Sequence, residues 1–475
     1  MIEIICNDQT YTYNAYHIVK AFYPSEEVTS KVEEKASNYV TAIFENDDKI
    51  EVPSVLCEGG REGKEEVDRF FYQKLSEKSG KELAWGMLTG VRPTKIAMKK
   101  LEEGWKPSDF VPWLMETCKV SREKAILSWM VANKEKEQLS PLDCENGYSL
   151  YVGIPFCPSV CSYCSFSSGP ISQWKKHVES YMDALCKELE FIGKVSVNKK
   201  LNTIYIGGGT PTSISAEQLD RLLTCIDENF SRKHLLEYTV EAGRPDSITQ
   251  EKLEVIWKHN VTRISINPQT MQQKTLDLVG RKHTVEDVKN IYQMAREIGF
   301  DNINMDLIAG LPEETPEDMQ DTLSQIAELR PDSLTVHSLA IKRAAKMGQD
   351  KKTAVIGEYL SRMIKDASDA AREMELVPYY LYRQKNIAGN FENVGYAKVD
   401  KAGIYNILIM EEKQSIVAAG AGSSTKVVLP YEIDAPGSKN GRKTNLIRIE
   451  NVKDVNEYMS RIDEMIERKG EWLWR

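Results

Sequence analysis

The stretch YVGIPFCPSVCSYCSF, residues 151–166, holds three of the nine cysteines of the chain within eight positions. Cys157, Cys161 and Cys164 follow the spacing C-x3-C-x2-C. The two prolines of the segment disfavour a helix, because proline lacks a backbone N–H and clashes with the preceding turn. We therefore predict a loop that can wrap around a compact group.

The composition points to a cytoplasmic protein. The N-terminus, MIEIICNDQTYTY, lacks the basic lead and long apolar run of a signal peptide, and no segment approaches the roughly 18 apolar residues of a spanning helix. In a reducing cytosol, clustered cysteines are more often metal ligands than disulfide partners. The net charge of -9 disfavours nucleic acid, which binds to basic patches. We expect neither a nucleic-acid nor a membrane partner.

A chain of 475 residues is too long for one hydrophobic core, since single cores stop growing at about 250–300 residues. We predict an N-terminal α+β domain over residues 1–145 and a core over 146–345. Residues 346–475 are predicted to form a C-terminal mixed α/β extension that covers the substrate site.

The core is predicted to contain six strand-then-helix units, of about 30 residues each. Its strands are expected at 148–153, 203–206, 238–240, 263–266, 302–307 and 333–336. Ser215 and Gln218 form a capping box at the start of one helix, and Thr315 caps another. Right-handed crossovers make the sheet parallel, with its ligand site at the carboxyl ends of the strands. Periodicity leaves open whether this sheet curls into a partial barrel.

Outside the core the pattern predicts fewer elements. In the N-terminal domain we expect a strand at 39–44 and helices at 67–75, 96–101 and 123–131. In the C-terminal extension we expect helices at 356–374 and 455–466 and strands at 379–382, 405–409 and 446–449.

The cysteine triplet alone leaves two kinds of metal site open. A structural zinc site takes four Cys or His ligands, and neither Cys144 nor His177 is placed to be the fourth. A four-iron, four-sulfur cluster usually takes four thiolates, so three of them would leave one iron open and reactive. Zinc and an iron–sulfur cluster therefore stay as alternatives.

Other polar residues follow the predicted strands of the core. The glycine-rich turn IGGGTPT, residues 206–212, follows the second strand. Glu241, Gln269, Arg281 and Asp306 lie at or beyond the ends of the third to fifth strands. One such residue usually meets solvent, but several on successive parallel strands converge on one mouth.

The cysteine spacing, with the aromatic Tyr163 before the third Cys, resembles the radical S-adenosylmethionine (SAM) superfamily. That resemblance implies an α/β fold with a partial (βα)6 barrel. It also implies that the open iron binds the amino and carboxylate groups of SAM. Reduction of the cluster then cleaves a C–S bond and gives a 5'-deoxyadenosyl radical.

Further motifs are similar to the coproporphyrinogen dehydrogenase group of this superfamily, namely NPQT, GRKHT, DLIAGLPEET and HSLA. Outside the core, GVRPTK, PYYLYRQKNIAGNFENVGYAK and GAGSSTKV resemble its HemZ branch. The resemblance implies a 4Fe-4S cluster held by Cys157, Cys161 and Cys164, and one or two SAM molecules. The SAM contacts that it implies are Tyr151, Tyr163, Gly208, Gly209, Thr210, Glu241, Gln269, Arg281, Asp306 and Ala340.

The implied activity is the oxygen-independent conversion of coproporphyrinogen III to protoporphyrinogen IX, in heme biosynthesis. The radical takes a hydrogen from a propionate β-carbon, and loss of carbon dioxide and one electron leaves a vinyl group, twice per substrate. No acid or base is required, so no catalytic side chain is assigned. A low-potential donor such as flavodoxin or ferredoxin is expected. Arg343, Arg383 and Lys385 are expected to bind the substrate carboxylates, unless they are ordinary solvated surface residues.

Two features bear on alternative functions, and the second of them disfavours a heme chaperone. The main dehydrogenase branch has a fourth Cys where this chain has Phe166, and the HemW type, a heme-binding chaperone, shares the Phe. HemW carries a C-terminal His–Asn pair for heme, whereas the comparable stretch here, GIYNILIM (403–410), has no histidine. The alternatives are thus a HemW-like chaperone, a radical SAM enzyme acting on heme, or a zinc-stabilised scaffold.

Overall fold

The computed structural model describes residues 1–24, 26–54, 61–90, 92–164, 168–339, 357–383, 391–436, 441 and 443–474. Four residues of the sequence predictions, Phe166, Ala340, Arg343 and Lys385, lie outside the described residues. Within the described part, none of the helices combines the length and apolar composition needed to cross a membrane.

The N-terminal region forms a four-stranded sheet of order β2-β1-β3-β4, packed against two helices. Its elements are β1 (Ile2–Cys6), α1 (Gln9–Phe22), β2 (Val28–Val32), β3 (Asn38–Ile43), β4 (Lys49–Pro53) and α2 (Arg61–Ser79). Three helices lead from it to the core, namely α3 (Thr94–Glu102), α4 (Pro107–Cys118) and α5 (Arg122–Leu139). The predicted strand and three predicted helices of this region are all present.

The second sheet contains eleven of the described strands, in the order β13-β14-β12-β11-β10-β9-β8-β5-β15-β16-β17. The core elements are β5 (Gly147–Ile154), β6 (Phe156–Cys157), β7 (Gly169–Pro170), α6 (Val178–Val195), β8 (Lys200–Gly208), α7 (Ala216–Asn229), β9 (Glu237–Gly243), α8 (Gln250–Lys258), β10 (Arg263–Ile266), α9 (Gln273–Leu278), α10 (Val285–Ile298), β11 (Ile303–Ala309), α11 (Pro316–Leu329) and β12 (Ser333–Ser338). All six predicted strands are found, they are mutually parallel, and they stand in chain order.

The C-terminal region widens this sheet at both edges. Its elements are α12 (Gly357–Glu373), β13 (Val377–Arg383), β14 (Glu392–Ala397), α13 (Ile404–Glu411), β15 (Ser415–Ala419), β16 (Ser424–Asp434), β17 (Lys443–Glu450), α14 (Val455–Ser460) and α15 (Ile462–Gly470). Strand β14 pairs antiparallel with β12, whereas β15 pairs parallel with β5. The division of the chain at residues 145 and 345 stays a prediction.

The two faces of the six parallel strands differ in polarity, because successive side chains of a strand point to opposite faces. One face is apolar and joins the main hydrophobic core with residues such as Ile204 and Val240. The strand register places polar and aromatic side chains on the other face. They are Tyr151, Tyr205, Glu237, Thr239, Glu241, Arg263, Ser265, Asn304, Asp306, Ser333, Thr335 and His337.

Both predicted helix starts are confirmed. The Ser215 hydroxyl accepts from the Gln218 N–H, and the Gln218 side chain accepts from the Ser215 N–H, as in a capping box. The Thr315 hydroxyl likewise accepts from the Asp318 N–H, with Pro316 in the first turn. These local bonds fix where the connecting helices begin relative to the strands.

Two predictions for the C-terminal region need correction, and three strands there were missed. Residues 405–409, predicted as a strand, lie in helix α13. The terminal helix predicted at 455–466 is divided at Arg461 into α14 and α15. Strands β14, β15 and β16 were not predicted. The run YNILIM (405–410) is apolar except for Asn406, and such a short run does not distinguish a strand from a buried helix.

Candidate active site

The cysteine loop lies directly after β5, at the carboxyl end of the parallel strands. Cys157 ends the two-residue strand β6, which pairs with β7. Cys161 and Cys164 follow in a turn, in which the Cys164 N–H donates to the Cys161 carbonyl at 3.1 Å. The predicted loop is therefore observed, with a short strand at its first cysteine.

The glycine turn after β8 packs against the start of this loop. The Gly209 N–H donates to the Ile154 carbonyl and the Thr210 N–H to the Phe156 carbonyl, both at 2.7 Å. A Cβ on Gly209 would lie 2.5 Å from the Phe156 oxygen, so only glycine allows this approach. The Thr210 hydroxyl then donates to the Cys157 sulfur at 3.5 Å.

Arg281 connects the loop with the end of β10. Its side chain is buried, and Nη1 lies 3.1 Å from the Tyr163 hydroxyl and 4.0 Å from the Cys161 sulfur. Nη2 donates to the Asn267 carbonyl at 2.5 Å. Arg281 Nε is buried without a protein partner. The guanidinium therefore holds the loop and keeps one donor unused.

Glu241 carries a strongly perturbed carboxyl group in β9. Burial raises its pKa to about 7, with a further contribution from the negative charge of Asp306, while the hydrogen bond from the Tyr205 hydroxyl acts in the opposite direction. A Cβ on Gly207 would lie 3.1 Å from a Glu241 oxygen, so the neighbouring glycine leaves room for this carboxylate. The group is thus close to its protonation midpoint at neutral pH.

Asp306 lies in β11, and its pKa is shifted in the opposite direction to that of Glu241. Burial alone would raise its pKa, but His337 and Asn304 outweigh burial and lower it. Asn304 Nδ2 donates to Asp306 Oδ1 at 2.7 Å, and His337 Nε2 lies 3.8 Å from Oδ2. Gln269, at a φ of 70°, donates its N–H to the Asp306 carbonyl at 2.9 Å. Asp306 and Gln269 are therefore neighbours.

Tyr151 is half-buried in a stack of three tyrosines on the polar face. Its ring centroid lies 6.2 Å from that of Tyr205 and 6.3 Å from that of Tyr405 of α13, and the last two rings are 4.4 Å apart. Burial raises the pKa of all three hydroxyls. The stretch GIYNILIM (403–410), the counterpart of the heme segment of HemW, is thus packed inside the fold through Tyr405.

Arg244 contacts the cysteine loop but was not predicted. It follows β9 in the turn GRPD, and its Nη1 donates to the Cys161 sulfur at 3.5 Å. Two carboxylate oxygens of Asp246 accept from the same guanidinium at 2.9 and 2.6 Å. The sequence feature that could have predicted this contact is an arginine directly after the carboxyl end of a core strand.

Arg383, predicted to bind substrate, is 3% exposed. Its Nη1 donates to the Leu88 carbonyl at 2.7 Å and to the Gly90 carbonyl at 3.4 Å. Burial lowers the pKa of the guanidinium to about 10, against the attraction of Glu392. This side chain links β13 to the N-terminal region, and its role in substrate binding stays a prediction.

The donors of the loop suit an iron–sulfur cluster. None of the described cysteines is in a disulfide. Across the described ranges, no three His, Cys, Asp or Glu side chains gather closely enough for one metal ion. A four-iron cluster is larger than one ion, so its thiolate ligands stand further apart. Two buried arginine side chains face the Cys161 sulfur, and such cations favour a thiolate and a negatively charged cluster.

Comparison with known proteins agrees with this geometry. A family model for the radical SAM superfamily matches residues 151–326. The sequence is 39% identical over 440 residues, 91% of this chain and 86% of the relative, to the oxygen-independent coproporphyrinogen-III oxidase-like protein HemZ of Bacillus subtilis (strain 168). The heme chaperone HemW of the same organism is 38% identical over 197 residues, which are 41% of this chain and 51% of HemW.

Among solved structures, coproporphyrinogen III oxidase (HemN) from Escherichia coli aligns with a TM-score of 0.54. The alignment covers 68% of this chain and 70% of HemN at 23% sequence identity, and it shows that the fold is shared.

A cysteine loop after the first of six parallel strands, together with the family match, defines the class as a radical SAM oxidoreductase with a (βα)6-type core. Within that class, the chain belongs to the oxygen-independent coproporphyrinogen-III oxidase-like family that includes HemZ. The predicted family and fold class are therefore confirmed. Membership implies an iron–sulfur cluster and SAM as cofactors.

Proposed function

We propose that this enzyme converts coproporphyrinogen III to protoporphyrinogen IX by oxidative decarboxylation of two propionates. The observation that carries the proposal is the extent of similarity. Likeness to the HemZ oxidase-like protein covers 91% of the chain, whereas likeness to the HemW chaperone and to the coproporphyrinogen III oxidase of Escherichia coli covers 41% each. The N-terminal and C-terminal regions, which would shape a substrate site around the core, are therefore shared with HemZ, and this oxidase-like relative supports the proposed activity.

We assign the three cysteines of the loop as ligands of one [4Fe-4S] cluster that leaves one iron for SAM. When bound and reduced, these cofactors supply a 5'-deoxyadenosyl radical. We propose that the site binds one or two SAM molecules. Among the described residues, the proposed SAM contacts are Tyr151, Tyr163, Gly208, Gly209, Thr210, Glu241, Gln269, Arg281 and Asp306.

Contacts in the structure support this assignment. Thr210 contacts Cys157, Arg281 contacts Tyr163, and Gln269 contacts Asp306, so residues from several strand ends meet around the loop. The absence of a Cβ at Gly208 and Gly209 lets this turn pack against the backbone of Ile154 and Phe156, which holds the cysteine loop beside the proposed SAM site. The negative charge of Asp306, favoured by its neighbours, suits a positively charged or hydroxyl-rich ligand.

The proposed reaction removes one hydrogen atom, one carbon dioxide and one electron from each propionate. A hydrogen atom leaves the β-carbon of a propionate and forms 5'-deoxyadenosine. The bond between the α-carbon and the carboxylate then breaks, carbon dioxide leaves, and one electron passes to an acceptor as the vinyl group forms. The protein has to position the propionate and exclude water and oxygen.

The proposed reaction also needs an electron donor and cationic side chains that bind the substrate carboxylates. One electron per SAM must come from a low-potential donor, for which flavodoxin or ferredoxin is suitable. The carboxylates of the substrate need cations, and Arg343 and Lys385 remain proposed for this role. Arg383 is engaged by the Leu88 carbonyl, so its contribution would require that this contact opens.

An anaerobic assay of the reconstituted enzyme with SAM, a reductant and coproporphyrinogen III tests the proposal. We expect a divinyl product and two 5'-deoxyadenosine molecules per porphyrinogen. A variant at the exposed surface, R221Q, serves as control, because Arg221 only pairs with Glu179 and Asp183 of α6. SAM cleavage without decarboxylation, together with tight heme binding, would instead support a chaperone.

A further inference from the structure

Arg244 is a buried cation whose position is set by the end of β9. Gly243, at a φ of 71°, turns the chain there, and the following Pro245 and Asp246 begin a short 3-10 helix. The Arg244 side chain is 4% exposed. Burying a charge in this way is costly unless it is paired, so its contacts must compensate for the lost hydration.

The guanidinium is paired on both sides. Nε and Nη2 donate to the two carboxylate oxygens of Asp246, a bidentate arrangement that fixes the plane of the group. Nη1 then donates to the Ser159 carbonyl at 2.8 Å, to the Ser159 hydroxyl at 3.0 Å and to the Cys161 sulfur at 3.5 Å. Asp246 thus aims one N–H of Arg244 at the sulfur.

Hydrogen bonds to ligating sulfurs and nearby net charge are the main means by which a protein tunes a cluster potential. A positive group beside a thiolate stabilises the more negative, reduced state of the cluster. Arg281 also faces the Cys161 sulfur, but its Nη1 is 4.0 Å from the sulfur and only 3.1 Å from the Tyr163 hydroxyl. Arg244 makes the shorter contact of the two.

We propose that Arg244 is a positioning residue for Cys161 that raises the reduction potential of the cluster through a charged N–H···S contact, with Asp246 aligning its guanidinium. The inference rests on the proposed ligation of the cluster by Cys161. It concerns the electron that the cluster must accept before SAM can be cleaved, and it assigns to the GRPD turn a role in redox tuning.

The test is a redox titration of the reconstituted holoenzyme without tetrapyrrole, followed by electron paramagnetic resonance. In R244Q, the ratio of reduced to oxidised cluster at a fixed potential should fall about tenfold, the size of a lost charge-assisted hydrogen bond. For one electron this corresponds to about 59 mV toward more negative potential. R244K keeps the charge and should recover part of the shift, while the surface variant R221Q should show none.

D246N provides a test of opposite sign. It removes a negative charge next to Arg244 but keeps an amide oxygen that can accept from the guanidinium and align it, so the potential should rise rather than fall. General damage to the loop would move both variants in the same direction. Equal potentials for wild type and R244Q, or shifts of the same sign in R244Q and D246N, would overturn the inference.

Iron and sulfide are counted in each sample before titration. A wild-type protein with about four of each and an unchanged R244Q potential contradicts only the role of Arg244. A wild-type protein that takes up no cluster contradicts the proposed function itself, and the inference with it.

Discussion

The polar face of the parallel sheet carries buried charges at both ends of its strands, but their partners differ. At the amino ends, Glu237 accepts from the N–H groups of Ile404 and Tyr405, at 2.5 and 3.4 Å, and so caps helix α13. Arg263 donates there to the Ser333 hydroxyl. At the carboxyl ends, Arg244 and Arg281 face cysteine sulfurs, and the pKa of Glu241 is shifted to about 7 by burial.

The contacts of these charged side chains, rather than their burial, indicate which charges stabilise the fold and which could serve a ligand. Buried arginines occur at both ends, so burial alone does not separate the two sets. The charge of Glu237 is satisfied by backbone groups of a helix that the fold requires. The charges of Arg244 and Arg281 at the carboxyl ends instead face the sulfur of Cys161 on a loop. Contact with a cysteine sulfur, rather than with the backbone of a helix, distinguishes this end.

The largest expected effect is at the glycine turn of the carboxyl end. A Cβ in G209A would meet the Phe156 carbonyl at 2.5 Å and displace the chain just before Cys157. We expect SAM cleavage to fall about a hundredfold, since a misplacement of about 1 Å has effects of this size. The measurement is the rate of 5'-deoxyadenosine formation.

G90A is the matched control, because a Cβ at Gly90 meets nothing within 4 Å. Equal rates for G209A and G90A would show that the close approach at Gly209 does not position the loop.

The next effect should appear in stability, at the amino ends. E237A removes the acceptor for two N–H groups of α13 and leaves Arg263 with less negative charge nearby. We expect the free energy of unfolding to fall by about 2 kcal/mol, the cost of buried donors without partners. Urea unfolding of E237A and of E251A, a change at an exposed first-turn glutamate of α8, provides the comparison. A loss no larger in E237A than in E251A would contradict the capping role.

The smallest effect depends on pH and concerns Glu241 at the carboxyl ends. The pKa of Glu241 is raised by burial from 4.5 to about 7, so the folded state loses stability as the pH rises between these values. E241Q cannot ionise and should escape that loss. We expect it to be more stable than wild type by on the order of 1 kcal/mol at pH 8, with the gain vanishing near pH 4.5. A gain that is independent of pH would exclude this ionisation as its cause.

Much of the core followed from local chemistry. The six strands and the caps at Ser215 and Thr315 were predictable because short apolar runs and capping residues act within a few positions. The proximity of Glu241 and Asp306 followed from the rule that parallel strands end at one edge.

The remaining elements depend on contacts between distant parts of the chain. Helix α13 was predicted as a strand, because its cap comes from Glu237, which is 167 residues before Ile404. Strand β15 joins the sheet only because it pairs with β5. The Arg244 contact with Cys161 spans 83 residues, so no local sequence pattern could predict it.

The most direct test of the account is the replacement of all three loop cysteines by alanine. After anaerobic reconstitution, we predict about four iron and four sulfide per chain in wild type and in the control C144A, and none in C157A/C161A/C164A. Only the first two proteins should form 5'-deoxyadenosine from SAM. A triple variant that still cleaves SAM, or a wild-type protein that holds one zinc and no sulfide, would contradict the account.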